Sequence, residues 1–129
     1  MTFQHPSAPR LHIGDIRSAA DGSIEVELAG ELDTRETERL RAGITGVVRE
    51  HGPAPIRIDA SRLTFLDSAG IRGLLACRRI IGEAGSRLSI SVAHPNVFQV
   101  LQITGLLSVF DVVEQSDVSR GQAARHIVS

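Results

Sequence analysis

The sequence predicts a single α/β domain in which a mixed, mostly parallel sheet of about five strands is covered by about four helices. Its 129 residues, 42% of them hydrophobic, are enough for one domain with a substantial core. Near the N-terminus, two stretches of alternating apolar and polar residues are joined by a short turn at 20–22, which predicts an antiparallel pair. Strand and helix patterns then alternate along the second half of the chain, as in parallel crossover units.

The first half of the chain predicts two strands followed by a helix. Apolar residues alternate with polar ones in 10–17 and again in 24–28, as in half-buried strands. Asp33 and Glu36 have the spacing of a capping box, which predicts that the first helix begins there. Gly52 and Pro53 mark its end. Between these limits an apolar stripe runs at helical spacing through Leu40, Ile44, Val47 and Val48.

The second half predicts a short central strand that begins at Ile56 and leads through a turn into a helix starting at Asp67 or Ser68. Apolar residues at helical spacing give this helix a buried face, formed by Ile71, Leu74, Leu75 and Ile81. A strand at 88–92, a helix opened by His94 and Pro95, a last strand at 109–113 and a short helix at 117–126 complete the pattern. We therefore expect a flexible tail at 1–9, the domain at 10–118, and a C-terminal helix or tail at 119–129.

The composition excludes several classes of partner. Fourteen basic and fifteen acidic residues give a net charge of −1, and with four Phe, no Trp and no Tyr there is no stacking surface for single-stranded nucleic acid. No apolar run approaches the roughly 20 residues that span a bilayer, and no signal peptide opens the chain. The single cysteine, Cys77, fits a reducing compartment. We expect a cytoplasmic domain without direct contact to nucleic acid or membrane.

No metal or cofactor site is predicted. The five histidines fall in different elements and none has a partner at metal-ligand spacing, while Cys77 is best explained as a core residue of its helix. The chain contains no Lys, so it lacks the phosphate-binding loop of nucleotide-hydrolysing enzymes, and it has no glycine fingerprint for dinucleotides.

Ser68 allows two interpretations. A helix start offers unpaired backbone N–H groups and a partial positive charge, so a phosphorylated Ser68 would be well placed there. Alternatively, Asp67 and Ser68 only cap the helix. Asp33 presents the same choice at the preceding strand-to-helix junction. If the two preceding strands are neighbours, Asp33, Asp67 and Ser68 lie on one face, where open α/β sheets tend to place their sites.

A serine hydrolase is the enzymatic alternative for Ser68, and the sequence argues against it. The local sequence Leu66-Asp67-Ser68-Ala69-Gly70 has Leu where a nucleophile elbow has its first Gly. His94, after the next strand, is the one histidine that could approach as a base. We therefore predict no catalytic residue and no enzymatic activity.

Taken together, these segments resemble the STAS domain of the anti-sigma factor antagonists. The resemblance covers about 11–118. Its matching residues are Gly30-Glu31-Leu32-Asp33, the stretch 58–71 that contains Asp67-Ser68-Ala69-Gly70-Ile71, Val92-Ala93-His94-Pro95-Asn96-Val97, and Thr104-Gly105-Leu106.

The resemblance implies a non-enzymatic switch that binds an anti-sigma factor with serine-kinase activity and so releases a sigma factor. It implies that the kinase phosphorylates Ser68 and that a serine phosphatase removes the phosphate. Asp67, Ala69 and Gly70 then form the environment of the phosphorylation site. The usual second Ser of the turn is Ala69 here. The partner-binding residues implied in this way are Asp33, Thr34, Asp67, Ser68, Ile71 and Arg72.

The resemblance also leaves room for a weak homodimer, and it assigns ATP to the kinase rather than to this chain. The alternative is a STAS scaffold or transporter-associated interaction domain that is not regulated by phosphorylation.

Overall fold

The computed structural model describes residues 10–115, which form a five-stranded sheet and three helices. The elements in chain order are β1 (Leu11–Ser18), β2 (Ile24–Leu32), α1 (Thr37–His51), β3 (Ile56–Leu66), α2 (Ser68–Glu83), β4 (Leu88–Ala93), α3 (Pro95–Ile103) and β5 (Glu114–Gln115). The predicted tails at 1–9 and 119–129 and the predicted helix at 117–126 lie outside the described residues.

The strands lie side by side in chain order, from β1 to β5. The β1–β2 pair is antiparallel, whereas β2–β3, β3–β4 and β4–β5 are parallel. This confirms the mixed α/β sheet with an antiparallel N-terminal pair. The described chain has four full strands and three helices, fewer than the predicted five and four, and the fifth sheet position holds only the two residues of β5.

One face of the sheet and the inner faces of the helices form a single apolar core. Ile24, Val26 and Leu28 of β2 are buried, whereas the intervening Glu25 and Glu27 are half-exposed on the opposite face. This alternation follows from the two-residue period of a strand. The predicted stripe of α1 also faces the core, with Val48 partly buried beside the fully buried Leu40, Ile44 and Val47.

Cys77 is a buried core residue of α2, as predicted. Burial raises the pKa of its thiol to about 12, because the thiolate would lose its hydration. The thiol is therefore protonated at neutral pH and is a poor nucleophile.

The central strand β3 is longer than the sequence predicts. It runs for eleven residues to Leu66, so the predicted turn before α2 is strand. Leu63 and Leu66 are buried, and they pair with Gly30 and Leu32 of β2. Two irregularities in the β2–β3 register accompany the extension. The two-residue alternation that marks a strand is broken after Ala60, which explains why the sequence pattern did not show it.

The predicted strand at 109–113 is wrong. These residues form turns closed by hydrogen bonds from Phe110 N to Leu106 O and from Val112 N to Leu107 O, and Asp111 has a positive φ of 48°. Phe110 is fully buried, and its carbonyl accepts from Ile90 N of β4. The apolar run therefore reflects burial of a turn against β4, and only Glu114–Gln115 pair as a strand.

The predicted capping box at the start of α1 is also wrong. Residues 34–36 form a turn, and α1 begins at Thr37 with Glu36 as its N-cap residue and no side-chain cap. The Asp33 side chain instead accepts a hydrogen bond from Arg35 N, at 3.0 Å. The Glu36 carboxylate accepts hydrogen bonds from Arg10 N and Arg39 Nη1, so Asp33 and Glu36 do not cap the helix reciprocally.

Candidate functional site

The site forms where β2 and β3 end together. Leu32 pairs with Leu66 in the parallel register, so Asp33 and Asp67 follow from adjacent positions on the same sheet edge. Asp67 N also points at Leu32 O, 3.4 Å away. The structure therefore brings Asp33, Asp67 and Ser68 to one edge, at the carboxyl ends of parallel strands.

Asp67 caps α2. Its backbone is extended, and its Oδ1 accepts a hydrogen bond from Gly70 N at 2.8 Å. This is the standard N-cap arrangement, in which the side chain satisfies a donor of the first turn. The carboxylate is thereby held in one position at the positive end of the helix.

Ser68 is the first residue of α2, and it is exposed. Within residues 10–115, its hydroxyl makes no hydrogen bond. Because Asp67 alone provides the cap, the Ser68 hydroxyl is not needed to hold the helix. It is exposed at the positive end of the helix, next to the backbone N–H groups of the first turn.

Gly70 lets the start of α2 pack tightly against the ends of β2 and β3. A Cβ at this position would collide with the Leu32 carbonyl oxygen and would lie 2.7 Å from Leu66 Cδ1. One turn later, a Cβ on Gly73 would lie 3.1 Å from Thr37 Cγ2 of α1. The small residues of this helix therefore fix its position relative to the sheet and α1.

Asp33 belongs to an ion network at the neighbouring junction. Its side chain is only 15% exposed, and its Oδ2 lies 3.5 Å from Arg10 Nη1 and 3.9 Å from Arg35 Nη2. Arg10 also pairs with Glu31 at 3.3 Å. The Asp33 charge is thus partly compensated by cations of this chain.

Glu36 is the centre of this network, and the sequence analysis assigned it to a different role. Its carboxylate is 8% exposed and accepts from Arg10 N at 2.9 Å and from Arg39 Nη1 at 2.8 Å. Arg39 also donates to the Leu11 carbonyl oxygen. The hydrogen bond from Arg39, helped by that from Arg10, lowers the pKa of Glu36 below its ordinary value. Glu36 therefore joins the start of β1 to the start of α1.

A shallow groove of about 240 Å³ runs between α1 and α2, next to Ser68. Its lining comprises Thr34, Thr37, Arg41, Ala69, Arg72, Gly73 and Ala76. Of the predicted partner-binding residues, Thr34 and Arg72 are exposed along this groove, whereas Ile71 is half-buried against the core. The groove has two cations and no carboxylate in its lining.

His94 is engaged in a structural role. Its Nδ1 accepts a hydrogen bond from Asn96 N at 3.0 Å, which caps α3. Asn96 in turn donates to the Thr64 carbonyl at 3.3 Å and ties α3 to the end of β3. Among residues 10–115, no hydrogen bond joins Ser68 to a histidine, and no three His, Cys, Asp or Glu side chains converge as metal ligands.

Phe65 is a feature of this surface that the sequence analysis missed. It lies three residues before Ser68, and it is 45% exposed although it is aromatic. Its neighbours Leu63 and Leu66 are buried, so the break in the alternation of β3 turns Phe65 outward. The sequence held no signal for this, because in a regular strand Phe65 would share the buried face of Leu63.

Comparison with known families identifies the fold. The family described as "Mlab, STAS domain" matches residues 17–113, which include every element from β2 to α3. The chain belongs to the STAS domain family. The junction of β3 and α2 that carries Asp67 and Ser68 lies within the matched STAS region.

Individual proteins named as anti-sigma factor antagonists resemble this chain over most of its length. BtrV of Bordetella bronchiseptica, named as a candidate anti-sigma factor antagonist, is 27% identical over 99 residues, covering 77% of this chain and 84% of BtrV. An anti-sigma factor antagonist from Mycobacterium paratuberculosis has a crystal structure with a TM-score of 0.65 and 28% identity, covering 83% of this chain and 89% of that one.

The anti-sigma factor antagonist SpoIIAA, solved in its unphosphorylated form, has a TM-score of 0.63 and 24% identity, covering 92% of this chain and 99% of that one. At this identity the likeness concerns the STAS fold alone. Within the part of the chain that the structure describes, no helix is long and apolar enough to cross a bilayer.

Proposed function

We propose that this STAS protein is an anti-sigma factor antagonist: it binds an anti-sigma factor that is also a serine kinase, releases a sigma factor, and is switched off by phosphorylation of Ser68. The observation that carries the proposal is the exposed Ser68 hydroxyl, which begins α2 and makes no hydrogen bond within the described residues. The relatives named as anti-sigma factor antagonists support the first part of the proposal.

The surface around Ser68 suits a protein partner. Phe65 near the end of β3 offers an exposed apolar contact, and Asp33, Thr34 and Arg72 offer polar groups in the turn after β2 and on α2. Interfaces of this kind commonly combine an aromatic anchor with a polar rim. These residues lie on one edge of the domain, at the ends of β2 and β3 and along α2.

The local geometry explains how a phosphate could break an interface without unfolding the domain. A phosphate on Ser68 adds about 1.5 to 2 negative charges near pH 7. At the start of α2 the helix dipole stabilises that charge. Inside an interface, however, the phosphate would be desolvated next to Asp67, whose carboxylate is fixed by Gly70 N. Binding is then lost while the fold persists.

The proposal is tested by incubating the protein with candidate anti-sigma kinases and ATP and measuring its intact mass. The unmodified protein should gain one phosphate, and Ser68→Ala should gain none. Ser108→Ala, which removes an exposed serine far along the chain, serves as the matched control and should be phosphorylated normally. A serine phosphatase should then remove the phosphate.

Two outcomes would contradict the proposal. A phosphate that persists in Ser68→Ala would move the modification elsewhere. Tight binding to an anti-sigma factor or another protein with no phosphate from any kinase would favour the alternative, a STAS scaffold or transporter-associated interaction domain without this regulation.

A further inference from the structure

Arg72 lies one helical turn after Ser68. Both side chains are exposed on α2, four positions apart. Residues with this spacing are neighbours on the helix surface, with Cβ atoms about 5–6 Å apart. An acidic group at the earlier position and a basic group at the later one is the more favourable order for such a pair.

Arg72 also has no acidic partner among the side chains that the structure describes. The other arginine that lines the α1–α2 groove, Arg41, faces a carboxylate: its Nη1 lies 3.0 Å from Glu38 Oε2. Among residues 10–113 and Gln115, no carboxylate lies within 4.0 Å of the Arg72 guanidinium. The groove beside Arg72 has no acidic residue in its lining.

From these two observations we propose that Arg72 binds the phosphate of phosphorylated Ser68 within the same helix, an inference that rests on the proposed phosphorylation. A guanidinium donates two parallel N–H bonds that match the oxygens of a phosphate. The exposed position of Arg72 leaves its side chain free to reach one turn back along α2. The helix dipole favours the anion at the same end.

This pairing gives phosphorylation a second effect on the partner surface. In the unmodified protein, the Arg72 guanidinium is available to a carboxylate of the bound partner. After phosphorylation the guanidinium is held by the Ser68 phosphate, so the surface gains a negative group and loses access to a positive one. Both changes act against a partner that carries acidic groups opposite Arg72.

The test uses the full chain with phosphoserine installed at position 68 during synthesis, followed by a phosphorus NMR titration. A nearby guanidinium stabilises the dianion and so lowers the second pKa of the phosphate. Arg72→Ala should therefore raise that pKa by about 0.3 relative to the unsubstituted phosphoprotein. Arg72→Lys, which keeps the charge but not the paired donors, should raise it by less.

Arg79→Ala is the matched control. Arg79 is exposed on the same helix and, among residues 10–113 and Gln115, likewise lacks a carboxylate within 4.0 Å. It lies eleven residues beyond Ser68, about 16 Å along the helix axis. The Arg79 variant should leave the phosphate pKa where it is. Equal shifts in the Arg72 and Arg79 variants would overturn the proposal, because they would reflect only the change in net charge.

This experiment is separable from the test of the proposed function. Since the phosphoserine is installed directly, its pKa does not depend on any kinase. An unmodified Ser68 in the kinase assay would count against the proposed function and leave the pairing measurable. Conversely, a normal kinase reaction with no difference between the Arg72 and Arg79 variants would count against the pairing alone.

Discussion

Two strand-to-helix junctions lie side by side in this domain, and they are built differently. The β3–α2 junction is closed locally, by the side chain of Asp67 on the backbone of Gly70. The β2–α1 junction is closed over a long sequence distance, because Glu36 accepts from Arg10 N at the start of β1. Both junctions follow paired strand ends, Leu32 and Leu66.

The difference explains why the two junctions suit different tasks. At the β2–α1 junction the carboxylates of Asp33 and Glu36 are engaged by arginines of this chain, so that junction holds β1, β2 and α1 together. At the β3–α2 junction one side chain provides the cap, which leaves the hydroxyl of Ser68 unengaged within the described residues. The first junction supports the site, and the second presents a group that can be modified.

The largest loss of stability is expected from Gly70→Ala, which tests the tight packing of the β3–α2 junction. The new Cβ would collide with the Leu32 carbonyl oxygen, so the end of β2 or the start of α2 must move. We expect the free energy of unfolding to fall by about 2–3 kcal/mol, measured by chemical denaturation. Gly82→Ala in the same helix has nothing within 4 Å of the added Cβ and should stabilise slightly.

A smaller loss, about 1 kcal/mol at neutral pH, is expected from Glu36→Gln, which tests the β2–α1 junction. The amide keeps the shape but weakens the bonds from Arg39 and Arg10. Because the folded-state pKa of Glu36 lies below its ordinary value of 4.5, the stabilisation is present above that pH. It should disappear as the pH falls through the lowered pKa, so the two proteins should converge in acid.

The control for this comparison is Glu38→Gln. Glu38 also pairs with an arginine three residues away, but its side chain is 83% exposed. Its substitution should change the free energy of unfolding by less than about 0.5 kcal/mol at any pH. An equally large effect from both variants would mean that the burial of Glu36 is not what gives the β2–α1 junction its strength.

Phe65→Ala separates binding from folding at the β3–α2 junction. Phe65 is 45% exposed and adjoins the proposed partner surface. Its removal should weaken partner binding about tenfold, as for an aromatic contact in an interface, with little change in stability. The affinities of both variants are measured by calorimetric titration with the partner. Val113→Ala, which shortens an exposed apolar residue next to β5, should leave the affinity unchanged. Unaltered affinity in the Phe65 variant would exclude this residue from the interface.

The smallest expected effect is that of the α2 cap. Asp67→Ala removes the acceptor for Gly70 N and should cost about 1 kcal/mol or less of unfolding free energy, whereas Asp67→Asn should preserve most of the cap. Thermal unfolding of the two variants gives the measurement. If Asn and Ala were equally destabilising, the charge of Asp67 rather than its hydrogen bond would be the source of the effect.

The sequence predicted features that depend on local pattern. The α/β class, the antiparallel β1–β2 pair and the end of α1 near Gly52 follow from alternation, helical spacing and turn residues. The start of α2 at Asp67 and Ser68 was also predicted, because the Asp67 cap is formed within four residues. Local hydrogen bonds of this kind are visible in sequence.

The features that the sequence did not predict depend on distant contacts. The spacing of Asp33 and Glu36 suggested a capping box, but Glu36 bonds to Arg10, 26 residues earlier in the chain. The apolar run at 109–113 suggested a strand, but Phe110 is buried in a turn against β4. In both cases tertiary contacts override the local pattern. The exposure of Phe65 likewise arises from the irregular pairing of β2 and β3.

Phosphorylation of Ser68 is proposed to break a partner interface while the domain stays folded. The most direct measurement compares the protein carrying phosphoserine at position 68 with the unmodified protein, in binding to the proposed anti-sigma factor partner and in thermal unfolding. We predict that the affinity falls at least about 100-fold, or roughly 3 kcal/mol, and that the unfolding temperature is unchanged or slightly raised. Equal affinity of the two forms, or loss of binding that coincides with unfolding, would contradict the account.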